Sequence, residues 1–232
     1  MSLPVAILAG GLATRLGPLT ASIPKSLVDV AGRPFAEHQI ELLRRYGLTD
    51  ITFLVGHFGE MIRDAMGDGA RWGVTLQYVF DGPRPLGTGG AVRRALPSLA
   101  DPFFVLYGDS YLECDYGGVE RSFQAGSAAA LMTVFRNENQ WDASNVLFRD
   151  GRILSYDKQW RTPDMRHIDY GLGVFRHRAF DRFADGEAFD LVAVYQRALA
   201  NDELAGYEVN GRFYEIGSSA GLEQARAHLS RR

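Results

Sequence analysis

Four apolar residues, Val5-Ala6-Ile7-Leu8, run straight into Ala9-Gly10-Gly11, and Arg15 follows four residues later. An unbroken apolar run of this kind reads as a strand buried on both faces, which commits the chain to helices on either side of a sheet. Gly10 and Gly11 open backbone angles closed to other residues and expose N–H groups to a nearby oxyanion. Arg15 adds a planar cationic fork. A second cation comes in Ile23-Pro24-Lys25-Ser26-Leu27, where Pro24 stiffens the chain just before the ammonium. Together these residues predict a place for the phosphates of a nucleoside triphosphate. They also fit a plain strand-to-turn connection with solvated charges, and the two commonest phosphate motifs are missing. Gly17 precedes Pro18, so there is no Walker A loop, and no G-x-G-x-x-G occurs.

Downstream, strand-like and helix-like segments alternate, the pattern of a mainly parallel central sheet flanked by helices. Ile51 to Val55 and Phe103 to Tyr107 are the clearest further strands, and Val74 to Phe80 alternates like one. Pro34 to Tyr46 reads as a helix, with Pro34 in its first turn and Gly47 at its stop. Gly59 to Met66 reads as a shorter helix. Asp150-Gly151 between two strand-like runs signals a hairpin. A further strand is expected at Ile168 to Phe175, with helices near Arg178 to Phe183 and Leu191 to Ala200. The break at 137–144 divides a single domain, 1–232, into a nucleotide-binding half (1–136) and a second half (137–232) that are expected to share one core.

Two acids stand where strands end. Asp109 follows Phe103-Phe104-Val105-Leu106-Tyr107-Gly108, which puts a carboxylate at the carboxyl edge of the sheet, where open α/β folds bind ligands. Phe213-Tyr214-Glu215-Ile216-Gly217 repeats that logic with Glu215. Leu86-Gly87-Thr88-Gly89-Gly90-Ala91 is a second glycine-rich turn that opens a helix. Each also has an ordinary structural reading, as a cap, a turn former or a helix start.

The combination resembles the sugar-1-phosphate nucleotidyltransferases, which show L-A-G-G-x-G-T-R-L followed by P-K-P. Here the corresponding residues are Leu8-Ala9-Gly10-Gly11-Leu12-Ala13-Thr14-Arg15-Leu16 and Pro24-Lys25-Ser26, with Ala13 in place of a glycine and Ser26 in place of a proline. The wording L-G-T-G-G-A is closest to the guanylyltransferases of D-glycero-D-manno-heptose 1-phosphate, which serve surface polysaccharide synthesis. Uridylyltransferases of amino-sugar phosphates have near variants.

The resemblance implies a Rossmann-like nucleotide-diphospho-sugar transferase fold. It implies Arg15, Lys25 and Asp109 as catalytic residues, and Leu8, Ala9, Gly10, Gly11, Arg15, Gly87, Thr88 and Gly90 around the nucleotide. Mg2+ is implied on Asp109 and Glu215, the latter one methylene longer than the family's aspartate. Ser155-Tyr156-Asp157-Lys158 resembles the E-E-K segment, which implies Asp157 on sugar hydroxyls and Lys158 on the sugar phosphate, with Asn145 nearby. His167, Asp169 and Tyr170 are candidates to line the same pocket. His57, His167 and His177 show no metal-ligand spacing and read as non-catalytic.

Composition narrows the alternatives. A formal net charge of -3 argues against a nucleic-acid surface, which needs a basic excess. Cys114 is the one cysteine, so no intrachain disulfide is available. No signal-like segment and no apolar run of about 18 residues occurs, so no membrane partner is expected and the cytoplasm is the expected compartment. Exposed helices leave a homodimer open. Among rival functions, a metal-dependent glycosyltransferase usually shows Asp-x-Asp, and Asp109-Ser110-Tyr111 does not. An inactive nucleotide-sugar sensor is disfavoured by the retained Arg15, Lys25 and Asp109, and a kinase by the missing Walker A.

Overall fold

The computed structural model describes residues 2–11 and 22–231. In chain order the first strand is β1 (Val5–Leu8), and the short strands β2 (Asp29–Val30) and β3 (Arg33–Pro34) form a separate ribbon. Then come α1 (Phe35–Arg45), β4 (Asp50–Val55), α2 (Gly59–Met66), β5 (Thr75–Phe80), α3 (Gly87–Ala95), β6 (Phe103–Tyr107), β7 (Ser110–Leu112) and α4 (Tyr116–Gln124). The rest is β8 (Ala130–Arg136), β9 (Val146–Arg149), β10 (Arg152–Tyr156), β11 (His167–Phe175), α5 (Leu191–Ala200), β12 (Leu204–Val209), β13 (Phe213–Glu215) and α6 (Ser219–Leu229).

Among the described residues nine strands make the main sheet. Its parallel centre runs β6-β1-β4-β5. β11 joins it antiparallel against β6, and β8 and β9 pair with β11. The sheet is therefore continuous across residues 137–144, because β11 from the second half lies directly against β6 from the first.

Alternation along β1 explains the two layers of helices. Val5 and Ile7 point into a cluster with Ile40 and Leu43 of α1, Ile62 of α2 and Phe123 of α4. Ala6 points to the opposite face, against Val92 of α3 and Leu191 and Val194 of α5. All three of these β1 side chains are fully buried, so the strand had to be apolar throughout. A third cluster seats α6, through Leu222, Ala225 and Leu229, on Phe35, Tyr111 and Ile216.

Most expected elements fall where the sequence puts them. The hairpin joining β9 and β10 turns through Asp150 and Gly151 at φ 51° and 75°, the paired left-handed geometry of a type I′ turn. The segment expected as a helix near Arg178 to Phe183 is instead one 3₁₀ turn at His177–Phe180. There the His177 N–H donates to Asp101 Oδ1, and its ring meets the Leu99 carbonyl, which ties the segment to the 99–101 loop before a second turn can form. Cys114 is buried, and burial pushes its thiol up to about 12. Among the described residues no helix is long and apolar enough to cross a membrane.

Candidate active site

Parallel strands all end on the same edge of a sheet, and here four of those ends surround one cavity of about 510 Å³. β1 delivers Leu8, Ala9, Gly10 and Gly11, β4 delivers Leu54, β5 delivers Asp81, and β6 delivers Tyr107, Gly108 and Asp109. Gly87 and Thr88, at the start of α3, close another side, and Lys25 and Ser26 complete the lining.

Lys25 opens a single 3₁₀ turn, Lys25–Leu27, entered through Pro24 at φ -67° and ψ 149°. Its Nζ donates to Asp109 Oδ2 at 2.8 Å, with the two side chains 17% and 27% exposed. Asp109 is fixed from two directions. Its carbonyl accepts from Ile216 N at 2.9 Å. Behind it, the buried Gln39 of α1 donates through Nε2 to the carbonyls of Tyr107 and Ser110, at 3.1 and 2.8 Å. Gln39 is a support that the sequence reading missed, because a glutamine inside an amphipathic helix carries no motif. Gln39→Ala removes both hydrogen bonds from a buried turn. The expected cost is about 1 to 3 kcal/mol of stability, together with a loss of turnover larger than the change in KM for either substrate. Chemical denaturation and steady-state kinetics check the two effects, and wild-type kinetics in the variant would remove Gln39 from the site.

Glu215 arrives by strand pairing. β13 runs antiparallel to β7 with Glu215 opposite Ser110, so the second acid lies beside the first although they are far apart in sequence. A Cβ built on Gly217 would stand 2.6 Å from Glu215 Oε2, 3.2 Å from Asp109 Oδ2 and 3.5 Å from Lys25 Nζ. Two carboxylates and an ammonium thus converge on one glycine. Glu215 does not line the cavity itself. Its Oε2 accepts from the Gly217 N–H and its Oε1 from Ser218 Oγ, and Ser218 Oγ in turn caps α6 by accepting from Gly221 N at 3.0 Å.

Among the described residues no group of three or more His, Cys, Asp or Glu side chains could hold a metal unaided. A pair of carboxylates is nonetheless the donor set that magnesium takes when substrate phosphates supply the remaining oxygens. Each carboxylate has lone pairs beyond those engaged here. Asp109 and Glu215 therefore fit that ion.

The remaining expected residues divide. Leu8, Ala9, Gly10, Gly11, Gly87 and Thr88 line the cavity. Gly90 does not, because a Cβ there would meet the Glu187 carbonyl at 2.4 Å, so this glycine lets α3 pack against the segment before α5. Arg15 and Ala13 lie outside the described residues. Lys158 Nζ sits 5.5 Å from the centre of the Tyr107 ring, at the cavity's edge. Asp157 is half-buried, and its Oδ1 accepts from Trp160 N and Gln159 N at 2.8 and 2.7 Å, bonds that hold its carboxyl below the usual range. Asn145 is buried, with Oδ1 accepting from Asp169 N at 3.0 Å.

His167 pairs with Glu208, and Tyr170 is buried in the core. Asp169 accepts from Tyr156 Oη at 3.0 Å, and enclosure, then its charge, hold the Tyr107 phenol protonated far past its ordinary range. Tyr107 and Asp81 are lining residues that sequence reading did not single out. The signal for Asp81 was present, since it follows the strand Val74 to Phe80 as Asp109 follows β6.

A family model described as nucleotidyl transferase matches residues 5–144. N-acetylmuramate alpha-1-phosphate uridylyltransferase of Neisseria meningitidis serogroup B is 29% identical over 95% of this chain and 96% of its own length. UTP--glucose-1-phosphate uridylyltransferase of Synechocystis is 30% identical over 97% of this chain, which spans only 63% of that longer relative. The fold matches the solved inositol-1-phosphate CTP transferase of T. maritima with a TM-score of 0.82 at 19% identity, over 99% of this chain and 96% of the other. The chain belongs to the nucleotidyl transferase family, as an enzyme of the sugar-1-phosphate nucleotidyltransferase class.

Proposed function

We propose that the chain transfers a nucleotidyl group from GTP to D-glycero-D-manno-heptose 1-phosphate or a related sugar phosphate, releasing pyrophosphate. The observation that carries the reaction class is the meeting of Lys25, Asp109 and Glu215 around Gly217, beside a cavity walled by two glycine-rich turns. The sugar phosphate is already ionised near neutral pH, so its oxygen attacks the α-phosphorus with no general base. The chain's work is positioning and charge neutralisation.

In this reading Gly10, Gly11 and Arg15 hold the departing β and γ phosphates. Lys25 bridges the α-phosphate and the sugar phosphate. Asp109 and Glu215 would hold Mg2+, which neutralises phosphate charge and aligns an in-line displacement when bound. Lys158 meets the sugar phosphate from the Tyr107 side. Asp157 has Oδ2 to offer a sugar hydroxyl, since the bonds to residues 159 and 160 use Oδ1. The nucleotide belongs to the half before residue 137 and the sugar to the half after it.

The wording of Leu86 to Ala91 favours GTP. A second reading, UTP with an amino-sugar 1-phosphate, is favoured by the end-to-end likeness to the Neisseria uridylyltransferase. A matrix of ATP, GTP, CTP, UTP and dTTP against several sugar 1-phosphates with Mg2+, scored by pyrophosphate, decides between them. Release from the GTP–heptose pair above all others is the expected result, and no release from any pair would overturn nucleotidyl transfer itself.

A further inference from the structure

With β7, the three-residue strand β13 forms a two-stranded ribbon apart from the main sheet. Such a ribbon does not hold itself, so the place of Glu215 depends on what packs against its two faces. Side chains alternate along a strand. Phe213 shares its face with Glu215 and packs edge-on against Phe135 and Tyr170, with ring centres 6.4 and 6.3 Å away. Arg212 and Tyr214 share the other face, where flat groups stack in a column. The Arg212 guanidinium lies 3.5 Å from the centre of the Trp141 ring and 4.4 Å from that of Tyr214. Tyr214 stacks in turn on His228 of α6, with ring centres 4.0 Å apart and planes 15° apart. Arg212 has no carboxylate within ion-pair distance among the described residues. Its Nη2 donates to Gln224 Oε1 at 2.8 Å, and the two ring faces meet its charge.

Trp141 reaches the column from a remote segment, residues 137–144. Its N–H donates to Asn137 Oδ1 at 3.3 Å, and the segment leads into Asn145, whose Oδ1 accepts from Asp169 N. The Trp141 side chain covers Arg212 and is still 44% exposed, so it can leave the column without opening the core. We propose that Trp141 is a clasp on β13: seated on Arg212, it fixes the strand so that Glu215 stands beside Asp109, and so sets how tightly the two carboxylates take a divalent cation. Trp141 and Arg212 are positioning residues, acting through the backbone that runs from Arg212 to Glu215. Mg2+ demands near-ideal octahedral geometry, so its hold weakens when one carboxylate drifts. The cavity wall made by Gly10, Gly11 and Thr88 is carried by β1 and α3 and does not depend on the clasp.

The role of the clasp in turnover rests on the nucleotidyl-transfer reading, and direct metal binding separates the two. Mn2+, which takes the same carboxylate oxygens as Mg2+, is titrated into the full chain and the free ion is followed by electron paramagnetic resonance. Trp141→Ala and Arg212→Gln are each expected to weaken Mn2+ binding about fivefold, the size of a lost cation–π contact at a half-buried site. The Mg2+ needed for half-maximal pyrophosphate release is expected to rise by the same factor, while kcat at saturating Mg2+ and KM for the triphosphate stay within about twofold of wild type. Trp141→Phe keeps a ring face and is expected to bind Mn2+ within about twofold of wild type. The double variant is expected to be no worse than Arg212→Gln alone, because both changes break one contact. Wild-type Mn2+ binding by Trp141→Ala or Arg212→Gln, or a wild-type chain that takes no Mn2+, overturns the inference and leaves nucleotidyl transfer standing. The two variants break the stack from opposite sides, so if one fails to fold the other decides. If no pyrophosphate is released from any pair in the substrate matrix, nucleotidyl transfer falls, and Mn2+ binding still decides the clasp.

Discussion

Lys25→Ala is expected to lower turnover by about three orders of magnitude and to leave the fold in place, the size that follows when a preorganised charge facing the reacting phosphates is removed. The same is expected of Asp109→Ala. The fold survives because the Lys25 turn is held by backbone bonds, Leu27 N to the Pro24 carbonyl and Val28 N to the Lys25 carbonyl, rather than by the lysine side chain. Asp109 likewise keeps its place through its carbonyl and through Gln39.

The two losses do not add. Each partner sits 2.8 Å from the other, so either single variant leaves the survivor misdirected, and the double variant is expected to be little worse than the weaker single. Pyrophosphate release measures the turnover, and circular dichroism melting measures the fold. Normal turnover by either purified single variant would remove the pair from the chemistry.

What the sequence conveyed and what it hid follow from the reach of the interactions involved. β1, β4 and β6 are legible because a strand buried on both faces needs a continuous apolar run, and α1 is legible because its buried stripe repeats at helical spacing. The β9–β10 turn is legible because Asp150 and Gly151 accept left-handed angles. By contrast, β7 and β13 are three residues each, and only their pairing across the fold makes them strands. The same pairing is what brings Glu215 to Asp109. No local pattern could give that distance.

Lys25, Asp109 and the first glycine pair line one cavity, and they are legible as candidates because each stands at a strand end or a stiffened turn. Asp157 and Gly90 do not line that cavity. Aspartate before a short turn is often its cap, and Asp157 takes that part with the N–H groups of residues 159 and 160. The resemblance puts Gly90 around the nucleotide, and in the structure its absent side chain makes room for the carbonyl of Glu187. In both places the residue type admits two structures; at Asp157 the neighbouring N–H groups decide which forms, and at Gly90 packing from a remote segment does.

Glu215→Gln is expected to keep the melting temperature near wild type and to lose about a hundredfold or more in turnover, with a raised requirement for Mg2+. Glu215 has two duties that this change separates. One is structural: its oxygens receive the Gly217 N–H and the Ser218 hydroxyl, and Ser218 caps α6. A glutamine carbonyl can still accept from Gly217, and its amide can donate to Ser218 Oγ, whose hydroxyl then turns to another acceptor. The other duty is charge. Only the carboxylate supplies an anionic oxygen beside Asp109, and a neutral amide oxygen is a weaker ligand for a hard cation. Glu215→Ala removes both duties and is expected to cost about 1 to 2 kcal/mol of stability as the α6 cap loosens, in addition to the loss of turnover. A thermal melt alongside a Mg2+ titration of initial rate tells these apart. If Glu215→Gln turns over normally at limiting Mg2+, the residue is a cap for α6 alone, and the metal must be held without it.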